Sequence, residues 1–125
     1  MTDRIEALRR RSKRLLENYG ISLEEYQRLF EYQRGGCAIC RRPPKKLPLA
    51  VDHCHATGLT RGLLCRACNE GLGKFRDDVT LLVRAGAYLR IPPGPLVLGE
   101  RWGVRGRVTM RKKARLRSMR FVRRG

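Results

Sequence analysis

Two Cys-x-x-Cys pairs constrain the fold of this chain more than any other feature. Cys37 and Cys40 form the first pair, Cys65 and Cys68 form the second, and 24 residues separate them. Cysteines at this spacing are typical of a tetrahedral zinc site with four thiolate ligands. Since a chain of 125 residues buries only a modest core, such a metal would hold a small domain together.

Disulfide bonding is the alternative role for these cysteines. The chain has five cysteines, an odd number that does not allow complete pairing. Its first residues lack the apolar stretch of a secretory signal, and no run approaches the length of a membrane span. The sequence therefore predicts a cytoplasmic protein, in which thiols stay reduced, and zinc is favoured over disulfides.

A second cluster, Asp52-His53-Cys54-His55, lies between the two cysteine pairs and contains both histidines of the chain. Asn69 directly follows the last paired cysteine. Phosphodiester hydrolysis needs an activated water and a cation at the phosphate. An imidazole such as that of His53 can accept the proton of the water, and His55 can donate to the phosphate or the leaving group. Asp52 and Asn69 offer hard oxygen ligands suited to Mg²⁺ or Mn²⁺.

Strand geometry sets a condition on this interpretation. In a regular strand, His53 and His55 face one side and Asp52 the other, so the strand must bend for the three to converge. Two structural alternatives stay open: a histidine replaces a cysteine as zinc ligand, or both histidines are only polar residues of a hairpin. Cys54 is interpreted as a small packed side chain, with a reactive thiol as the alternative.

The charge of the chain indicates a polyanionic partner. There are 29 Lys and Arg residues against 11 Asp and Glu, a formal charge of +18. Nucleic acid is the favoured partner, and an anionic membrane is not, because no basic amphipathic helix with a clean apolar face is evident. Eleven of the basic residues follow Glu100 with no acid among them. We interpret this stretch as a nucleic-acid-binding tail, the alternative being a terminus that contributes only charge.

Hydrophobic spacing and turn residues divide the chain into three segments: a helical segment at 1–34, a small α+β domain at 35–90, and a linker with the basic tail at 91–125.

Ser22 and Glu25 form a capping-box pattern that predicts a helix start. The aromatic residues Tyr26 and Phe30 are interpreted as core rather than as base-stacking groups. Two short strands around Ala56-Thr57-Gly58 predict a hairpin. Further predicted elements are a short helix from Cys65 carrying Asn69, a later helix capped by Asp77 or Asp78, and its end at Pro92-Pro93.

One long motif joins these features. It runs through Cys37-Ala-Ile-Cys40, Leu49-Ala-Val-Asp-His-Cys-His-Ala-Thr-Gly58, Arg61-Gly-Leu-Leu-Cys-Arg-Ala-Cys-Asn69 and Gly71-Leu-Gly73. This motif resembles the recombination endonuclease VII family of phages, which belongs to the HNH, or His-Me finger, nucleases. The resemblance spans roughly Tyr19 to Leu89 and implies a zinc-stapled ββα-metal fold, whose short, irregular strands would meet the condition on strand geometry.

The resemblance also implies roles for individual residues. Cys37, Cys40, Cys65 and Cys68 match the structural zinc ligands of the family. Asp52 and Asn69 match its catalytic metal ligands, His53 its general base and His55 its second active-site histidine. The implied protein is a Mg²⁺-dependent endonuclease acting on DNA in the host cytoplasm, as a nicking, packaging-associated or recombination enzyme. Phage packaging or recombination proteins are candidate partners, and a homodimer stays open. The rival from another class is a noncatalytic zinc-finger module that binds DNA or RNA.

Overall fold

The computed structural model of the protein describes residues 2–101. These residues form five helices and one two-stranded antiparallel sheet. The order is α1 (Thr2–Tyr19), α2 (Leu23–Tyr32), β1 (Ala50–His53), β2 (Thr60–Leu64), α3 (Arg66–Lys74), α4 (Val79–Arg90) and α5 (Pro93–Leu98). The predicted α+β fold is confirmed. Within the described residues, the chain divides into two units at the boundary between Leu82 and Val83. The basic tail lies, apart from Arg101, outside the described residues, so its role stays a prediction.

The start of α2 follows the capping box expected from the sequence. The Ser22 hydroxyl accepts from the Glu25 backbone N–H at 3.1 Å, and the Glu25 carboxylate accepts from the Ser22 backbone N–H at 2.7 Å. These two bonds satisfy donors that a helix start would otherwise leave open. The helix then presents Tyr26, which is buried and donates its hydroxyl to the Leu49 carbonyl oxygen at 2.6 Å. Tyr26 is therefore a core residue, as predicted.

The core lies where the first two helices meet the hairpin. Its buried members are Leu15, Tyr26, Cys37, Leu49, Val51, Leu63 and Leu64. α1 contributes little to this core, since Leu15 is its only buried residue. It is held to α2 partly by the Arg11 guanidinium, whose central carbon lies 4.7 Å from the centre of the Tyr26 ring. So few buried side chains agree with the expectation that the fold needs a metal to complete it.

Gln33, the residue after α2, pairs with the outer edge of β2. Its side-chain oxygen accepts from the Leu63 N–H at 2.8 Å, and its side-chain nitrogen donates to the Leu63 carbonyl oxygen at 2.8 Å. The same carbonyl accepts from the Ala38 N–H at 3.1 Å. The Gln33 amide thus takes the place of a third strand at this position and fixes α2 against the hairpin. Nothing in the local sequence predicted this clamp, which we call the Gln33 clamp.

In the region after the hairpin, the structure decides between the two predicted caps and differs from prediction at one point. Asp78, rather than Asp77, caps α4, because its Oδ1 accepts from the N–H groups of Thr80 and Leu81 at 2.8 and 3.1 Å. In addition, the predicted linker contains a short helix, α5, whose first residue is Pro93. Proline suits this position because its φ is preset and it needs no N–H partner there. None of the helices within residues 2–101 has the length and apolarity needed to cross a bilayer.

Candidate active site

The four cysteines of the two pairs converge into one cluster. Their Sγ atoms all lie within 4.8 Å of one another, and those of Cys40 and Cys65 are 3.8 Å apart. A tetrahedral site with Zn–S bonds of about 2.3 Å has edges of about 3.8 Å, so the cluster suits zinc. Within the described residues the cluster includes neither histidine. This geometry supports the four-cysteine site over the alternative in which a histidine replaces a cysteine.

The electrostatics of the cluster also call for a cation. Burial disfavours the Cys37 thiolate, but the backbone N–H groups of Cys65, Cys40 and Ile39 prevail and lower the pKa of Cys37 to about 6. Cys68 behaves in the opposite way, because burial and the neighbouring cysteine sulfurs raise its pKa to about 12. Four thiolates this close together need a bound cation to neutralise them. Metal binding would therefore release protons and stabilise the fold.

A β-bulge lies at the centre of the hairpin. Asp52 pairs with Gly62 and His53 pairs with Thr60, which leaves Arg61 as the extra residue of β2. A bulge of this kind increases the local twist and redirects a side chain. The strand irregularity that the histidine cluster required is thus present, although the extra residue belongs to β2 rather than to β1.

The bulge residue Arg61 is paired with Asp52. Arg61 donates from Nε to Asp52 Oδ2 at 2.7 Å and from Nη2 to Asp52 Oδ1 at 3.0 Å. The Asp52 side chain is only 8% exposed, whereas that of Arg61 is 34% exposed. Both oxygens of the predicted metal ligand therefore accept hydrogen bonds from one guanidinium. Such a two-pronged pair is among the strongest hydrogen-bonded contacts in proteins.

Asp77 connects this pair to the histidines. Its Oδ2 lies 3.0 Å from His55 Nδ1 and accepts from Arg61 Nη2 at 3.2 Å. The His53 and His55 rings are neighbours, with centroids 5.1 Å apart. The hydrogen bond with His55 is the main reason that the pKa of Asp77 lies below its ordinary value, and the Arg61 charge adds to it against partial desolvation. One contact chain thus runs from Asp52 through Arg61 and Asp77 to both histidines.

Asn69 lies apart from this contact chain. It is half-buried in the first turns of α3, where its N–H donates to the Cys65 carbonyl oxygen at 3.0 Å. It lines a groove of about 770 Å³ that also includes the proline-rich loop after Cys40. Asp52 lines a different cavity, of about 300 Å³, together with Arg61 and Asp77. Of the predicted site residues, the structure brings Asp52, His53 and His55 into one network and places Asn69 in the neighbouring groove.

Two residues of this network were not singled out from the sequence as site residues. Arg61 was noted only as part of the family motif, and Asp77 only as a candidate helix cap. The sequence does contain a signal for Asp77. A helix start needs one capping acid, and two acids, Asp77 and Asp78, are present, which leaves one of them for another role. No comparable local signal marked Arg61, since its role depends on a bulge.

Cys54 lies outside the metal cluster and is half-buried. Its pKa is lowered, chiefly by the Thr57 hydroxyl and then by the N–H groups of Thr57 and Ala56 in the hairpin turn. These contacts place the sulfur within the turn. This position fits a small side chain in the hairpin, whereas a lowered pKa is the direction expected of the reactive-thiol alternative, so the interpretation of Cys54 stays a prediction.

The hairpin, the helix that follows it and the four-cysteine cluster together define a zinc-stapled ββα unit with histidines at the end of its first strand. Family comparison is more specific. The model of the recombination endonuclease VII family matches residues 12–91. The chain belongs to this family, and the resemblance found in the sequence is confirmed.

Two curated relatives come from mycobacteriophages. The chain is 51% identical over 90 residues to the Gene 59 protein of Mycobacterium phage D29, which covers 70% of this chain and 54% of the relative. It is 49% identical over 90 residues to the Gene 59 protein of Mycobacterium phage L5, covering 70% and 55%. The chain thus spans about half the length of these relatives. No solved structure matches it.

Proposed function

We propose that this protein is a divalent-metal-dependent endonuclease of a phage, which hydrolyses phosphodiester bonds of DNA in the cytoplasm of the host cell. In this proposal His53 is the general base, His55 is the second active-site histidine, and Asp52 and Asn69 are the metal ligands. The four cysteines hold structural zinc. Membership of the recombination endonuclease VII family supports a nuclease acting on DNA.

The observation that carries the proposal is the pairing of the two histidine rings beside a buried acid. Their centroids lie 5.1 Å apart at the end of β1, next to Asp52 in the sequence and linked to it through Arg61 and Asp77. A structural hairpin has no need for two adjacent imidazoles. In the proposed reaction His53 accepts a proton from the attacking water, and His55 donates to the phosphate or to the departing oxygen.

Asp52 would supply a carboxylate and Asn69 an amide oxygen, donor types that suit a hard divalent cation. Since the two residues line different cavities, they would have to approach each other to hold one ion. When bound, such an ion supplies charge neutralisation for the phosphate and the leaving oxygen. Arg61 sets a condition on its binding. Because both Asp52 oxygens accept from Arg61, a cation at Asp52 must share the carboxylate with the positive guanidinium, on a remaining lone pair or in place of one of these hydrogen bonds.

The test is cleavage of linear, nicked and four-way DNA by zinc-loaded protein, with Mg²⁺ supplied or withheld. Withholding Mg²⁺ is preferable to adding a chelator, because a chelator would also remove the zinc. The substitution His53→Ala should lower kcat by about 100-fold or more, the usual value of general base catalysis. Its zinc content and DNA affinity should stay close to those of the wild type.

Cys54→Ser is the matched control, since it changes the neighbouring residue, for which the proposal has no chemical role. It should cleave at nearly the wild-type rate. Full activity of purified His53→Ala would remove His53 from the mechanism. If zinc-loaded wild type binds DNA but cleaves none of the three forms with Mg²⁺, the protein is the noncatalytic binding module instead.

A further inference from the structure

We propose that Asp77 is a positioning residue of the active site, which fixes the orientation and the protonated nitrogen of His55. This inference rests on the proposed function for its catalytic consequence. Its structural part, the choice of nitrogen, can be tested without any cleavage. The Asp77 carboxylate accepts from Arg61 and lies against His55 Nδ1, so it touches two members of the site without facing the reaction itself.

The backbone around Asp77 is unusual. Arg76 and Asp77 both have positive φ, 57° and 54°, in the left-handed region that residues other than glycine seldom adopt. Hydrogen bonds hold this turn, from the Arg76 N–H to the Gly73 carbonyl at 2.9 Å and from the Asp77 N–H to the Leu72 carbonyl at 2.9 Å. The turn after α3 thus places the Asp77 carboxylate against the hairpin while its backbone is in an unfavourable conformation. Residues strained in this way are common at functional sites.

The different hydrogen-bond partners of the neighbouring acids Asp77 and Asp78 support the same conclusion. Asp78 makes the helix-capping bonds of α4, so Asp77 is not needed as a cap. Its partners are instead residues 22 and 16 positions away, His55 and Arg61. Asp77 makes no helix cap, and a strained turn holds it against the His55 imidazole. A positioning role is the simplest explanation of this arrangement.

The chemistry of the contact fixes the nitrogen. An ionised carboxylate can only accept hydrogen bonds, so His55 Nδ1 must carry the proton that faces Asp77. In the neutral ring, Nε2 then has the free lone pair. The His55 side chain is 75% exposed and would otherwise rotate freely. Asp77 therefore leaves Nε2 as the outward nitrogen of His55. Only the doubly protonated ring, whose charge the Asp77 carboxylate stabilises, presents an Nε2–H that donates to the phosphate or the leaving oxygen.

The experiment compares zinc-loaded wild type with Asp77→Asn, Asp77→Gly and Asp78→Asn in the full chain, without Mg²⁺ or DNA. Asparagine keeps the shape of aspartate and tolerates positive φ, and glycine removes the side chain without backbone strain. Imidazole ¹⁵N NMR reads the protonated nitrogen of the neutral ring. Since the chain has two histidines, a His53→Gln spectrum assigns the signals.

The wild type and Asp78→Asn should show His55 protonated on Nδ1. Both Asp77 variants should shift it toward the Nε2-protonated form that free imidazole side chains prefer. An Nε2-protonated His55 in the wild type, or an unchanged signal in both Asp77 variants, overturns the proposal. If wild type cleaves no DNA, the proposed nuclease function fails, and the NMR result still decides whether Asp77 orients His55.

Cleavage then tests the catalytic consequence. Loss of a residue that orients an active-site histidine typically costs about 10-fold to 100-fold, and we expect Asp77→Asn to lower kcat by that amount with a smaller change in KM. Asp78→Asn should retain kcat near the wild-type value, since only a helix cap is weakened. If Asp77→Asn shows the NMR shift but keeps the wild-type kcat, Asp77 is only a structural contact. The proposed effect of Asp77 on catalysis is then overturned.

Discussion

Replacing Arg61 by methionine tests how the buried acid of the site is held. The change keeps an unbranched apolar stem and removes the guanidinium, so Asp52 loses both hydrogen bonds, of 2.7 and 3.0 Å. Breaking a fully buried ion pair by removing one partner costs about 3–5 kcal/mol. Because the Arg61 side chain is 34% exposed, solvent already screens part of the pair, and we expect a loss of about 2–3 kcal/mol. For a domain of this size that corresponds to a fall in Tm of roughly 10 to 20 °C.

The control is Arg66→Met. Arg66 donates from Nε to Glu70 at 2.8 Å, nearly the distance of the Arg61 pair, but its side chain is 84% exposed. The two arginines thus differ in burial and in the number of hydrogen bonds, three for Arg61 and one for Arg66. An exposed single pair contributes little, so Arg66→Met should melt close to the wild type. The assay is thermal unfolding of zinc-loaded protein followed by circular dichroism. Equal Tm values for the two variants would refute the argument that burial makes the Asp52 pair important.

Adding Mg²⁺ extends the same assay to the condition that Arg61 sets on metal binding. In the wild type, an ion at Asp52 must share the carboxylate with the positive Arg61 guanidinium, whereas in Arg61→Met the carboxylate is free of it. A ligand stabilises the state that it binds more when its affinity for that state is higher, so Mg²⁺ should raise the Tm of Arg61→Met more than that of the wild type. Equal gains would show that Arg61 does not compete with the cation for Asp52.

Two further predictions concern zinc and the tail. Cys65→Ser should abolish zinc binding and cooperative folding together, because a structural zinc site can contribute on the order of 10 kcal/mol to folding. Zinc analysis and circular dichroism measure the two effects. A folded, active chain that carries less than about half a zinc would contradict this prediction. Truncation after Leu98 should flatten the dependence of DNA affinity on salt, since each phosphate neutralised adds about 0.9 to the log-log slope. The truncated protein should keep its turnover on saturating DNA at low salt, and an unchanged slope in a folded, zinc-loaded chain would show that the tail does not anchor DNA.

The features that the sequence predicted correctly are those fixed by short spacings. The two cysteine pairs, the capping box of Ser22 and Glu25, and the turn at Gly58 each depend on residues a few positions apart. Such patterns follow from local geometry, so they can be read without knowing the fold. The catalytic assignments of Asp52, His53, His55 and Asn69 belong to a different kind of inference, from family resemblance, and they stay predictions for the experiments above.

The features that escaped prediction depend on contacts between distant residues. Arg61 meets Asp52 because a bulge interrupts β2, and neither residue type nor spacing reveals a bulge in advance. Asp77 reaches His55 only through two consecutive left-handed residues at the end of α3. Gln33 acts 30 positions away from its partner Leu63. The local pattern of α5 predicts a linker, because proline and glycine suggest turns even where a proline begins a helix.

The Gln33 clamp has a consequence for how this protein behaves at high concentration. A two-stranded sheet has two open edges, and an open edge can accept a strand from another molecule and begin aggregation. At Leu63 the outward N–H and carbonyl of β2 are already bonded, to Gln33 and Ala38. One glutamine amide therefore closes this edge at its centre against intermolecular β-pairing. A protein with so small a core gains in this way a protection that larger sheets obtain from additional strands.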